Sequence, residues 1–266
     1  MVPSYHDGLL LARKALTMGA GLSWKRMPVL TQFLSLNSAA HMASAVAHSV
    51  QYRGRKTSRR GSEQRRQAIL DAAMRIIIRD GVRAVRHRAV AAEAGVPLSA
   101  TTYYFKDIDD LLTDTFALFV ERSAAYMAGF WERTQGLLLE QVGRLDDSGD
   151  SRRQLAEEIA RLAVGYVRDQ LHFRRDELVA EQAFQQEALI NSRLHELARS
   201  HRRILQQGAI QFFQVLGSQH PEQDASVLTG IIGRMEYQGL LEGPGRLDDE
   251  EMLAVLSRYM YLVLGL

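Results

Sequence analysis

Leu98, Ser99, Thr101, Thr102 and Tyr103 place three short hydroxyls, an apolar group and an aromatic ring on one short segment. Serine and threonine hydroxyls bond to the edge of any base pair, and apolar groups touch thymine methyls. Arg86, His87 and Arg88 precede the segment and Lys106 follows it, which suits phosphate contacts on either side. Together they describe a surface that reads a DNA duplex. The face carries no Arg, Asn or Gln, so sequence discrimination there draws on DNA shape, water and the flanking arginines. Tyr104 and Phe105 fit a hydrophobic core better than a DNA face, and Tyr103 fits either. The run from Arg53 to Arg66 reads as a solvated charged stretch or as an arm that tracks phosphate or the minor groove.

Short helices must hold these groups in place. From Ser62, a plausible N-cap, Ile69, Ala72, Ala73, Ile76 and Ile77 recur at helical spacing, and Gly81 ends the pattern. A second helix is predicted over 86–94, with Ala89, Val90 and Ala94 inward. Gly95 then supplies a turn whose left-handed backbone needs no Cβ. Pro97 suits the first turn of a third helix over 98–104, because its missing N–H has no partner there anyway. Asp107 caps a fourth helix, with Asp110 adding negative charge to its first turn.

The stretch from Gly81 to Leu112 resembles the DNA-binding domain of the TetR family of bacterial transcriptional regulators. The resemblance rests on Gly81, on Ala94-Gly95-Val96 at the turn, on Tyr103-Tyr104-Phe105, and on Asp107 with Leu111-Leu112 at the entry to the fourth helix. Two positions depart from the family pattern. The usual Ser or Thr at the start of the second helix is replaced around Val85-Arg86, and the usual lysine inside the fourth helix is Ile108. Lys106 stands in for that lysine from two residues earlier. The resemblance implies a DNA-reading head joined to a helical domain that binds a small molecule and forms a homodimer.

Charge divides the chain in the same place. Residues 53–106 hold 13 basic and four acidic side chains, net +9, whereas residues 107–266 hold 16 basic and 26 acidic, net −10. A basic segment on an acidic body directs a polyanion to the first part only. Three parts are expected: an N-terminal extension, 1–60, flexible and with a basic arm at 53–60; a helix-turn-helix domain, 61–107; and an effector-binding and dimerisation domain, 108–266. Met18, Met27 and Met42 are internal alternatives for the start of the protein.

The rest reads as helix. Segments are expected at 108–133, reaching as far as 142, and at 151–172, 177–190, 192–216, 222–241 and 248–264, with a polar loop at 144–150. No alternating strand pattern occurs, so the fold class is all-α. With 46% hydrophobic residues in 266, the chain has ample material for a core. Phe116, Phe119, Tyr126, Phe130, Trp131, Tyr166, Phe173 and Phe184 either surround a ligand pocket or form an ordinary helical core. Arg168, His172 and Arg174-Arg175 either hold an anionic group or complement a helix C-terminus. Ile231 and Met235, with Leu253, Leu256 and Met260, mark apolar stripes on the last two helices, suited to a four-helix dimer interface or to packing inside one chain.

Several classes are excluded or disfavoured. The absence of cysteine removes disulfides and thiolate chemistry, and fits a cytoplasmic protein. No metal spacing, phosphate loop or nucleophile motif stands in a plausible context, so no enzyme, metal or cofactor is expected. No apolar run is long enough to span a membrane. Lys25-Arg26 and Ala43-Ser44-Ala45 mimic a secretory signal, but polar residues interrupt the stretch between them and it starts deep in the chain. The expected function is a sequence-specific regulator acting on a palindromic double-stranded operator and released by a small hydrophobic effector. A general DNA-coating protein, or a ligand-binding protein with a vestigial helix-turn-helix, are the alternatives.

Overall fold

The computed structural model describes residues 52–55, 60–143 and 149–266. The signal-like stretch, the remaining extension and most of the expected loop at 144–150 lie outside them. Among the described residues there are nine α-helices and no strand. They are α1 Arg60–Asp80, α2 His87–Ala94, α3 Leu98–Tyr104, α4 Ile108–Gly143, α5 Gly149–Phe173, α6 Arg175–Ile190, α7 His195–Val215, α8 Pro221–Glu242 and α9 Asp249–Val263. None is long and apolar enough to cross a membrane.

Local chemistry sets most boundaries. Gly95 adopts φ 65°, and the bonds from its N–H to the Ala92 carbonyl and from the Val96 N–H to the Ala91 carbonyl close a Schellman motif on α2. Asp107 Oδ1 accepts from the Asp110 N–H at 2.7 Å, which satisfies an orphan donor at the start of α4. Asp248 does the same for α9 through the Glu250 N–H at 2.8 Å.

Three local expectations are corrected. α1 begins at Arg60, so Ser62 sits inside its first turn, where its hydroxyl meets the Tyr104 hydroxyl at 2.8 Å. Pro97, at ψ 146°, is extended and precedes α3 rather than opening it. Ala89 is exposed, and Val90 with Ala91 forms the buried edge of α2 instead.

Two apolar clusters organise the molecule. The first joins the head to the body: Ile69, Leu70, Val90 and Phe105 pack with Leu111 and Phe116 of α4 and with Phe184 of α6. The second holds α5, α7, α8 and α9 around Val167, Leu171, Phe213, Leu228, Leu256 and Met260. α4 runs from one to the other, and Trp131 in its second half packs against both. A single continuous helix therefore spans the head and the core of the body.

Candidate nucleic-acid interface and body cavity

On α3 the outward residues are Leu98, Ser99, Thr102 and Tyr103, with Leu98 44% and Tyr103 52% exposed. Thr101 does not join them. It is fully buried, and its hydroxyl donates to the Leu98 carbonyl at 2.8 Å, because one turn of helix can present only part of its circumference to solvent. Tyr104 and Phe105 are core, as their apolar character predicts. Arg86, Arg88 and Lys106 are exposed around this face. Arg86 donates to the Val85 carbonyl at 2.8 Å, and His87 is half-buried with no partner for Nδ1.

The basic arm is anchored where it meets the head. Arg53 and Gly54 donate their backbone N–H groups to the two carboxylate oxygens of Asp114, at 2.5 and 2.9 Å. Asp114 is fully buried on α4, and Arg66 closes the cluster with a 2.7 Å ion pair. A Cβ on Gly54 would stand 2.7 Å from both Asp114 Oδ2 and the Phe105 ring, so the arm can approach this closely only through a glycine. Tyr52 donates to Glu121 at 2.7 Å. Residues 52–55 are thus pinned rather than free, because a buried carboxylate needs donors and the arm's backbone provides them. The pinning sets the Arg55 guanidinium 4.4 Å from the Tyr103 ring, beside the exposed face of α3.

A second set of contacts fixes the root of α4. Arg193, in the turn before α7, lies 3.6–3.8 Å from Asp107, Asp109 and Asp110. Asn191 donates to Asp109 at 3.3 Å. Within the head, Glu93 of α2 takes bonds from Arg75 at 2.8 Å and Arg79 at 3.2 Å of α1, and these hold its carboxyl below the usual range.

The body contains a cavity of about 1420 Å³ between α4, α5, α6, α7 and α8. Phe119, Tyr126, Phe130, Trp131, Tyr166 and Phe212 form much of its wall, with ring centroids of Phe130 and Tyr166 4.8 Å apart. Polar groups interrupt this wall. Gln170 donates to the Tyr126 hydroxyl at 2.6 Å, and Ser123 and His201 Nε2 are 3.0 Å apart. Burial lowers the His201 pKa to about 4, so the ring is neutral near pH 7. Glu181 and Glu236 also line the cavity, and desolvation raises them to about 7 and about 8.

Residues 69–115 match the family model described as bacterial regulatory proteins, tetR family. This helix-turn-helix is a TetR-family DNA-binding domain. A TetR-family member from Streptomyces coelicolor A3 is 27% identical, with a TM-score of 0.52 over 74% of this chain and 98% of that one. A transcriptional regulator from Saccharomonospora viridis, solved in complex with choline, shares 19% identity and a TM-score of 0.54 over 74% of this chain and 96% of that one, which speaks for the fold alone. No curated protein matches the chain.

Within this TetR-like architecture, Phe116, Phe119, Tyr126, Phe130, Trp131 and Tyr166 reach the cavity as expected residues of a pocket wall. Two others do not. Phe184 is fully buried behind the wall, stacked on Phe116 with centroids 4.4 Å apart, and Phe173 is 81% exposed at the end of α5. Of the basic cluster near that end, Arg174 lines the cavity with its guanidinium 3.5 Å from the Tyr126 ring. Arg168 instead ties α5 to the start of α9 and the turn before it, donating to Asp249 at 2.6 Å and to the Leu247 carbonyl at 2.7 Å.

The expected dimer stripes are corrected at Met235, Leu256 and Met260. Leu256 and Met260 are fully buried within the chain and Met235 is buried beside them, while Ile231 and Leu253 pack against the same cluster. An amphipathic helix must first satisfy its own core, so the strongest apolar stripe marks the inner face. The apolar groups left outside are Val227, Tyr237 and Leu241 on α8 and Val255 and Leu262 on α9.

Asp114, Glu181, Glu236 and His201 were not singled out by sequence reasoning. Asp114 left a trace: it is an acid flanked by Leu111, Leu112 and Phe116 inside a helix, where an unpaired charge is costly. The two glutamates left none, since each falls on a helix rich in Glu and Gln.

Proposed function

We propose that this chain is a ligand-responsive transcriptional repressor that acts in the cytoplasm as a homodimer on a palindromic operator and is released by a small hydrophobic effector. Residues 61–107 serve as the reading head, and residues 108–266 as the effector and dimerisation body behind an N-terminal extension, 1–60. Leu98, Ser99, Thr102 and Tyr103 face the bases, and Arg55, Arg86, Arg88 and Lys106 face phosphate. The outer apolar residues of α8 and α9 meet their counterparts in a second copy.

One observation carries this reading. α4 forms a wall of the cavity through Phe119, Tyr126 and Phe130, and the same helix holds the head through Asp114, which pairs with Arg66 of α1. A ligand that shifts α4 must move the head, and in a dimer that alters the spacing of two heads. Footprinting on DNA upstream of the chain's own gene is the test. A protected palindrome that disappears in the Thr102→Ala/Tyr103→Ala variant is expected. Uniform coverage of any duplex, unaffected by the substitutions, would refute the proposal in favour of general DNA coating.

A further inference from the structure

We infer that the body cavity takes a lipophilic organic cation, held by Glu181 and Glu236 against the ring wall of Tyr126, Phe130 and Tyr166. The inference rests on reading the cavity as the effector site and names the class of effector.

The geometry comes first. Glu181 enters from α6 and Glu236 from α8, each onto the same cavity that the aromatic side chains of α4 and α5 line. Glu181 accepts one bond, from Gln185 at 2.8 Å, and its oxygen lies 3.9 Å from His201 Nδ1. Since that imidazole is neutral, it offers Glu181 no charged partner. Glu236 has no hydrogen bond or ion pair among the described residues. Two carboxyl groups on a largely apolar wall, one of them unpartnered, are costly in the ionised form, so they hold protons until something positive completes them.

The protein itself supplies part of that positive charge. Arg174 lies over the Tyr126 ring at 3.5 Å, and among the described residues it is the cation whose charge stabilises the Glu181 carboxylate. Among the described residues no cation offsets Glu236, on which the like charge of Glu181 acts. The other arginines on the wall stand toward solvent. Arg199 and Arg203 both pair with Glu196, at 3.2 and 2.6 Å, and Arg202 is exposed. The interior therefore holds more acid than base, beside rings whose negative faces attract cations. An anion would meet both glutamates. A neutral ligand would leave Glu236 without a charged partner.

The full-length chain can be titrated with tetraphenylphosphonium and with tetraphenylborate, which share shape and differ in the sign of charge. N-phenyl-1-naphthylamine serves as a neutral fluorescent reporter of the cavity. The cation should displace the reporter with at least about ten-fold higher affinity than the borate. Glu236→Gln and Glu181→Gln should each weaken the cation about ten-fold while leaving the reporter's affinity unchanged, which also shows that the variants fold.

Calorimetry in buffers of different ionisation enthalpy at pH 6.5 should register proton release on cation uptake. The ionisable groups lining the site are Tyr126 from α4, Tyr166 from α5, Arg174, Glu177 and Glu181 on the α6 side, His195, Arg199, His201, Arg202 and Arg203 from α7, and Glu236 and Tyr237 from α8. Equal affinities for the two tetraphenyl ions, or cation binding indifferent to both substitutions, would overturn the inference while leaving the cavity a ligand site. Failure of all three probes, the neutral reporter included, would remove the effector-site reading along with it.

Discussion

Replacing Asp114 by alanine tests how the arm, the head and α4 are held as one unit. The carboxylate is fully buried and takes two backbone N–H bonds and the guanidinium of Arg66, whose side chain is only 8% exposed. Its removal strands a buried cation and two backbone donors. Breaking a buried pair from one side costs about 3–5 kcal/mol. Glu63 remains 3.5 Å from Arg66, and the Tyr52 ring remains under its guanidinium at 4.6 Å, so the lower end of that range is expected. At roughly 2–4 °C per kcal/mol for a domain of this size, about 3 kcal/mol lowers Tm by roughly 6–12 °C. Thermal and urea unfolding of the full chain provide the measurement. Adding Arg66→Met should restore part of the loss, with a coupling of about 1–3 kcal/mol, because the stranded charge is then gone. Amide exchange at Arg53 and Gly54 should accelerate in the single variant. A loss below about 1 kcal/mol, with no coupling to Arg66, is what an exposed surface bridge gives, and it would refute the buried-staple argument.

Gly54→Ala forces a methyl to within 2.7 Å of Asp114 and Phe105, and should detach the arm, read as faster amide exchange at Arg55, whose N–H now bonds the Tyr104 carbonyl at 2.9 Å. Arg55→Ala should reduce the slope of log affinity against log salt by about 1 in a DNA-binding titration, with little change in Tm. Gly208→Ala puts a Cβ 1.9 Å from Trp131 Nε1, so the indole must move, and a cost of about 1–3 kcal/mol is expected in urea unfolding. Glu181 and Glu236, raised to about 7 and about 8, keep more protons folded than unfolded, so their contribution to stability declines as pH rises toward 8. His201, lowered to about 4, adds the opposite trend only below its unfolded value of 6.5. Tm should therefore fall between pH 6.5 and 8, and Glu236→Gln should flatten that fall.

Helix positions were legible wherever one local signal was strong. Gly95 fixed the turn because a left-handed residue there needs glycine, and Asp107 and Asp248 marked starts because their side chains cap the backbone directly. Capping was misjudged at Ser62, where a tertiary contact with Tyr104 claims the hydroxyl. Aromatic spacing found six wall residues of the cavity yet failed at Phe173 and Phe184, since helical period says nothing of which neighbour a face will meet.

Composition and spacing alone determined an all-helical chain with a basic head on an acidic body, and a turn suited to presenting α3 outward. Those properties are local, set by backbone preference and by periodic burial within single helices. Only the tertiary structure decided that the arm is stapled to Asp114, that Leu256 and Met260 face inward, and that two glutamates from different helices share one aromatic cavity. Each of these depends on residues far apart in the chain meeting in space, which periodicity within one helix cannot encode.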